Sequence, residues 1–309
     1  MRWTVLAAAC LLAAGARRPL SAQGLPPSEL RTATAAGWMP WWNAARAPAT
    51  WGAALPRVAG AVRWRTVRPG LEVGELRLGG DGEAWRLRVV LARVQPARFR
   101  WGLRRLTRAG GELGAWTVDS AAAGAALAVN AGQFEGGTPW GWLVADGVER
   151  QPPGVGPLSM AVVVDTSGAV RLVPSARIAE VRRRGGIAQA FQSYPALLVD
   201  DGRVPDALRG EGRGVDLRHR DARLAIGELR DGRILIALTR FEGLGGALEV
   251  LPFGPTTPEM AAVMGALGCR QAVLLDGGIS SQMLLRAPGG TRAWRGMRRV
   301  PLALEVVAR

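Results

Sequence analysis

Lysine is absent from this 309-residue chain: all 40 of its Lys and Arg residues are arginine, and it has one histidine, one tyrosine and two cysteines. The single histidine, His219, excludes a multi-histidine zinc site and leaves any Ser-His-Asp triad only this one imidazole. Cys10 lies in an apolar N-terminal stretch, so once that stretch is removed Cys269 has no partner for an intramolecular disulfide. Cys269 follows Gly268 and precedes an apolar run, which reads as a buried structural thiol rather than a nucleophile. Long hydrophobic runs are also missing. Val5 to Ala14 is too short to span a bilayer and no later segment reaches that length, so no stable membrane span is expected.

The formal net charge is +15. Arginine without lysine, beside abundant Ala, Gly, Val and Leu, reads first as codon bias, with the arginines on a solvated face. No arginine-rich run is interleaved with aromatics in the way a base-stacking platform requires, and the longest cluster is Arg182-Arg183-Arg184. Nucleic acid is therefore not the expected partner. The charge favours an anionic substrate or an anionic envelope surface.

Residues 1–22 read as an export signal. Arg2 supplies the positive start, Val5 to Ala14 the apolar region, and small residues offer cleavage after Ala16 or Ala22. A lipid-attachment reading of Ala7-Ala8-Ala9-Cys10 is weakened by the short apolar stretch before Cys10. The mature protein is thus expected in the periplasm or outside the cell. Residues 23–60, with Trp38, Trp41, Trp42 and Trp51, have no sustained period and read as an irregular arm, with a carbohydrate-stacking surface as the minority reading. Residues 61–309 then form the main domain.

With 42 glycines and 20 prolines, that domain reads as strands joined by turns. Alternation at Val62, Trp64 and Thr66 and at Trp85, Leu87, Val89 and Leu91 predicts strands. So do the apolar runs Ala125 to Val129, Ala161 to Val164, Ala169 to Val173, Leu224 to Leu229, Ile234 to Thr239 and Ala272 to Leu275. Asp165 to Gly168 and Asp231-Gly232 read as hairpin turns. One helix is well marked: Thr257 as N-cap, Pro258 and Glu259 in the first turn, a stripe of Met260, Val263, Met264 and Leu267, and Gly268 at the exit. The expected class is α+β, a large mostly antiparallel sheet system with a few helices.

Several segments carry polar residues where strands end. Leu275-Asp276-Gly277-Gly278-Ile279-Ser280-Ser281 ejects an acid from a buried strand, lets the backbone turn tightly, and follows with two hydroxyls. An ordinary Asp-Gly turn is the bland alternative. Val129-Asn130-Ala131-Gly132-Gln133-Phe134 places an amide beside a glycine, able to donate and accept toward a sugar or phosphate. Gln192-Ser193-Tyr194-Pro195 precedes another apolar strand, and in Arg220-Asp221-Ala222-Arg223 the last arginine starts a strand, where a guanidinium could clamp a phosphate.

Taken in order, these motifs resemble the phosphodiester glycosidase family. They run Asn-x-Gly-x-Phe, Gln-Ser-x-Pro-x-Leu, Arg-x-Ala-Ile-Gly, Thr-x-x-Glu-Met-Ala and Leu-Asp-Gly-Gly-x-Ser-Ser, over roughly residues 60 to 309. Two departures stand out: Ala131 and Gln133 in the first motif, and Ile279 where the family's third glycine follows the aspartate. The resemblance implies a hydrolase that cleaves a sugar-1-phosphodiester in envelope or exopolysaccharide metabolism. Such a site needs a carboxylate at the anomeric carbon and cationic or amide donors on the phosphate. Asp276 is the expected nucleophile or base and Arg223 the expected phosphate ligand. Asn130, Gly132, Gln192, Ser193, Gly277, Gly278, Ser280, Ser281, His219 and Glu259 are the expected substrate-binding residues, with a helix-capping role equally open for Glu259. No cofactor is expected, although Ca²⁺ or Mg²⁺ beside Asp276 suits its oxygen chemistry. The alternative is a non-catalytic envelope polysaccharide-binding protein on the same fold.

Overall fold

The computed structural model describes residues 25–105, 115–243 and 248–309. The segment read as an export signal, with Cys10, lies outside the described residues. Three sheets carry the fold, and every pairing within them is antiparallel. The first has nine strands. Its middle comprises Cys269–Leu274, Leu224–Leu229, Ile234–Phe241, Leu87–Val94 and Leu71–Gly79, in that spatial order. The second is built around Ile187–Ser193 with Met160–Asp165, and the third around Ala125–Asn130, flanked by Met283–Ala287 and Ala303–Ala308.

The large sheet is buried on both faces, which is why its strands are nearly continuous apolar runs. In Leu87–Val94, side chains alternate between two cores: Val90, Ala92 and Val94 face the space shared with the other two sheets, while Leu87, Val89 and Leu91 face the opposite side. That opposite side is covered by the helix Thr257–Ala266 and the N-terminal segment. The expected hairpin turns at Asp165 to Gly168 and Asp231-Gly232 join strands that pair, as do the turns at Pro69-Gly70 and Gly79 to Gly82. Among the described residues no helix is long and apolar enough to cross a membrane.

Two local expectations are corrected. The N-terminal segment is not an irregular arm. Glu29–Thr34 and Gly37–Asn43 form a hairpin that extends the large sheet, with Arg31 opposite Gly79. Trp42, within its second strand, and Trp51 are both buried, and the Trp51 ring lies so close to Gly265 that a Cβ there would come within 2.2 Å. The helix cap is Thr256 rather than Thr257: its hydroxyl accepts from the Glu259 N–H while the Glu259 carboxylate accepts from the Thr256 N–H. All ten residues of this helix are buried, so its apolar stripe was only part of what the core covers. A second helix, Ser175–Arg184, for which the sequence offered no marked signal, has one buried side chain, Ile178. Arg182, Arg183 and Arg184 occupy its last turn, where cations oppose the helix dipole.

Candidate active site

The strand register creates the site. Leu224–Leu229 runs antiparallel to Cys269–Leu274 with Ala225 opposite Leu274. Continuing that register past both strand ends sets residues 221–223 across from 276–278. The chain follows it: the Leu275 N–H donates to the Leu224 carbonyl at 2.8 Å and the Gly278 N–H to the Ala222 carbonyl at 2.7 Å. Asp221 and Asp276 therefore emerge at one end of the large sheet. Residues 276–282 then cross to the third sheet, and residues 193–196 cross from the second sheet to the first. The ends of all three sheets meet there.

The two glycines make this approach feasible. Gly278 has φ +58°, and a Cβ on it would sit 2.6 Å from Asp221 Oδ2; one on Gly277 would sit 2.9 Å from the Ala222 carbonyl. Asp276 Oδ2 and Asp221 Oδ1 are both buried without a hydrogen-bond partner among the described residues. The other Asp221 oxygen lies 3.5 Å from His219 Nε2, on an exposed imidazole. Burial raises the Asp276 carboxyl above its ordinary range, against the Ser280 hydroxyl and the Arg298 charge, and the Asp221 charge adds to the rise. Burial also raises Asp221, opposed by Arg223 and His219. The two carboxyls share one rim, and burial is the main cause that disfavours the charged form of each.

Around this pair, several sequence-predicted residues serve as struts. Asn130 is fully buried: its amide donates to the Asp276 carbonyl at 2.7 Å and accepts from the Gln282 N–H at 2.9 Å, tying the aspartate turn to the third sheet. Gly132 packs on the Gln192 carbonyl, where a Cβ would come within 2.4 Å. Gln192 spends its whole amide on the Trp142 and Gly154 backbones and the Ser159 hydroxyl. The Ser193 hydroxyl reaches the Leu274 carbonyl and the Gln133 amide oxygen. Ser281 is buried beside the Ala222 carbonyl. Glu259 is fully buried and held by Arg220 through two hydrogen bonds of 2.7 and 2.9 Å, in addition to its capping role.

Arg223 is 8% exposed. It donates through Nε to the Pro255 carbonyl at 3.0 Å and through Nη2 to the His219 carbonyl at 2.7 Å, so much of its fork holds the loop that carries Asp221. Its charge favours the ionised form of Asp221.

Four residues complete the site that sequence reasoning had not singled out. Asp221 stood inside a quoted motif, and its signal was the strand register just described. Arg298 is exposed, with its guanidinium 4.6 Å from the Phe134 ring and its charge acting on Asp276. Tyr194 is half-exposed and edge-on to Trp140 at 4.8 Å. Arg240, 2% exposed, donates to the Ser281 carbonyl at 2.7 Å and the Arg295 carbonyl at 3.1 Å, and burial pushes its pKa down to about 10. No group of three or more His, Cys, Asp or Glu side chains among the described residues is placed to hold a metal ion.

Fold and geometry thus describe a β-sheet protein with a carboxylate-centred candidate site where three sheets converge. The family model described as phosphodiester glycosidase matches residues 123–307, more than half of the chain, and the chain belongs to that family. No curated protein matches the sequence. Among solved structures, the chain is similar to the zebrafish N-acetylglucosamine-1-phosphodiester alpha-N-acetylglucosaminidase catalytic domain auto-inhibited by its pro-peptide. That match has 16% identity and a TM-score of 0.58, covering 83% of this chain and 87% of that one. It is also similar to a hypothetical protein from Synechocystis, at 18% identity and a TM-score of 0.52, covering 91% of this chain and 68% of the other. At these identities the likeness is one of fold.

Proposed function

We propose that this protein is a hydrolase that cleaves the C1–O bond of a sugar-1-phosphodiester, acting outside the cytoplasm on an envelope or exopolysaccharide glycan. The observation that carries this reading is the Asp221–Asp276 pair: two carboxyls on one rim, each with a buried oxygen that no group among the described residues satisfies. A phosphomonoester is a good leaving group, so the reaction needs little proton donation to the departing oxygen. It mainly needs negative charge beside the anomeric carbon and positive charge beside the phosphate. Asp276, set by Asn130 and the Ala131 carbonyl, is the carboxylate that faces the anomeric carbon. Asp221 is the second carboxyl on that rim, and its charge acts on Asp276. Arg298 and His219, on the exposed rim, are the groups available to a phosphate. Arg223 acts from behind by fixing the Asp221 loop and biasing its charge. Residues 1–22 support the extracytoplasmic location.

Hydrolysis of a panel of sugar-1-phosphodiesters by the mature protein tests this reading, beside folded Asp276→Asn and Arg223→Ala variants. Turnover by the wild type that collapses in Asp276→Asn is expected. Absence of turnover on every member, with glycan binding intact in all three proteins, would instead support the non-catalytic binding reading.

A further inference from the structure

The edge of the large sheet carries a second constellation, separate from the carboxylate pair. A groove of about 550 Å³ is lined by Arg31, Trp38, Arg77, Trp85, Arg86 and Glu242. Trp38 is 48% exposed and Trp85 is 56% exposed, although the neighbouring Trp42 and Trp51 are core residues at 6% and 8%. Both exposed rings are held in place. Trp38 lies over Gly79, where a Cβ would come 3.2 Å from the ring, and Trp85 packs edge-on to Phe241 at 5.6 Å and 71°. A fixed ring with an open face has little conformational entropy to lose when a flat apolar surface stacks on it.

The charges in the groove are of one dominant sign: three arginines against Glu242. Arg77 meets Glu242 at 3.5 Å and Arg31 meets Glu29 at 3.4 Å. Exposed single contacts of that kind contribute little and can be exchanged for a ligand's anions. Planar guanidinium groups recognise carboxylate or phosphate in a bidentate fork. The turn that carries Trp85 and Arg86 also reaches the loop of the candidate active site. A Cβ on Gly82 of that turn would lie 3.3 Å from Arg220 Nε, and Arg220 anchors the loop bearing His219 and Asp221.

From stacking faces and clustered guanidinium groups together, we propose that the Trp38–Trp85 groove binds a polyanionic glycan, a saccharide chain bearing carboxylate or phosphate groups. Choosing a saccharide over another stacking polyanion rests on the hydrolase reading above. The groove then holds the substrate polymer while the carboxylate pair acts on a neighbouring linkage.

The test measures binding of the mature full-length chain to oligogalacturonate and to a phosphomannan fragment by isothermal titration. Neutral dextran oligosaccharides and a single-stranded oligonucleotide serve as comparisons. The expected result is binding to at least one anionic saccharide that weakens with salt, with no comparable dextran binding. At least a tenfold rise in Kd is expected both in Trp38→Ala/Trp85→Ala and in Arg77→Ala/Arg86→Ala. Trp85→Phe, which keeps a ring against Phe241, should retain more affinity than the alanine pair. Hydrolysis of a small sugar-1-phosphodiester should be unchanged in every variant, which also shows that they fold. Unchanged affinity in both double variants, equal binding of dextran, tighter binding of the oligonucleotide, or no binding of either anionic saccharide would overturn the proposal. Intact hydrolysis with such a result leaves the catalytic reading standing; intact groove binding without hydrolysis does the reverse.

Discussion

Replacing Gly278 by alanine probes the site at its tightest point. The new Cβ would meet Asp221 Oδ2 at 2.6 Å, whereas unstrained contact needs about 3.5 Å. The Asp221 carboxylate, or the aspartate turn itself, must retreat by roughly 0.9 Å. A misplacement near 1 Å costs on the order of 10²-fold in rate where catalysis depends on orientation. The backbone adds a second effect, since φ +58° costs a non-glycine residue about 1–2 kcal/mol. For a domain of this size that is a Tm loss of roughly 2–8 °C. The two effects separate with Gly232→Ala as reference. Gly232 has φ +81° at the opposite end of the same strands, with nothing within 4 Å of its would-be Cβ. Steady-state kinetics on a sugar-1-phosphodiester and thermal melts should show similar Tm losses in both variants, with kcat/KM falling 10- to 100-fold only in Gly278→Ala. Full activity in Gly278→Ala, or equal loss in both variants, would refute the argument that the glycine exists to admit the carboxylate.

Three further outcomes follow from the same geometry. The folded protein raises the Asp276 carboxyl, so its contribution to stability is fully present below the ordinary carboxylate pKa and is lost as pH rises through the raised value. Asp276→Asn should therefore raise Tm at pH 7, by about 2–4 °C for roughly 1 kcal/mol, with the gain shrinking as pH falls toward 4; melts across pH check this. Glu259→Gln leaves Arg220 facing a neutral amide in a site where Glu259 is fully buried, and should destabilise by about 3 kcal/mol or more in urea unfolding. Cys269 is buried and its thiol is pushed far up by burial and by Glu228, so a chromogenic disulfide reagent should label it in denaturant and not in the native protein.

Much of the site was legible because strand ends are marked by where apolar runs stop. The Leu-Asp-Gly-Gly run announced both an ejected acid and a tight approach, and the structure brings both together at Asp276 and Gly278. Asp221 was harder to see. Its importance depends on which strand Leu224–Leu229 pairs with and in what register, and a pairing between segments some fifty residues apart is not written in either one. Asn130 and Gln192 were read as ligands because they are polar at strand ends. Burial turned their amides inward, where unpaired backbone groups at the sheet junction needed partners. Arg298 left no signal among so many arginines. The N-terminal hairpin was missed because its outer strand is an exposed edge, where the alternation that marks a half-buried strand is lost.

Cleavage of the sugar–oxygen bond is distinguished from cleavage of the phosphorus–oxygen bond by hydrolysis in ¹⁸O-labelled water, with the products read by mass spectrometry. Label is expected in the released sugar and not in the phosphomonoester, with loss of both products in Asp276→Asn. Label in the phosphomonoester, or turnover that survives Asp276→Asn, would contradict this expectation.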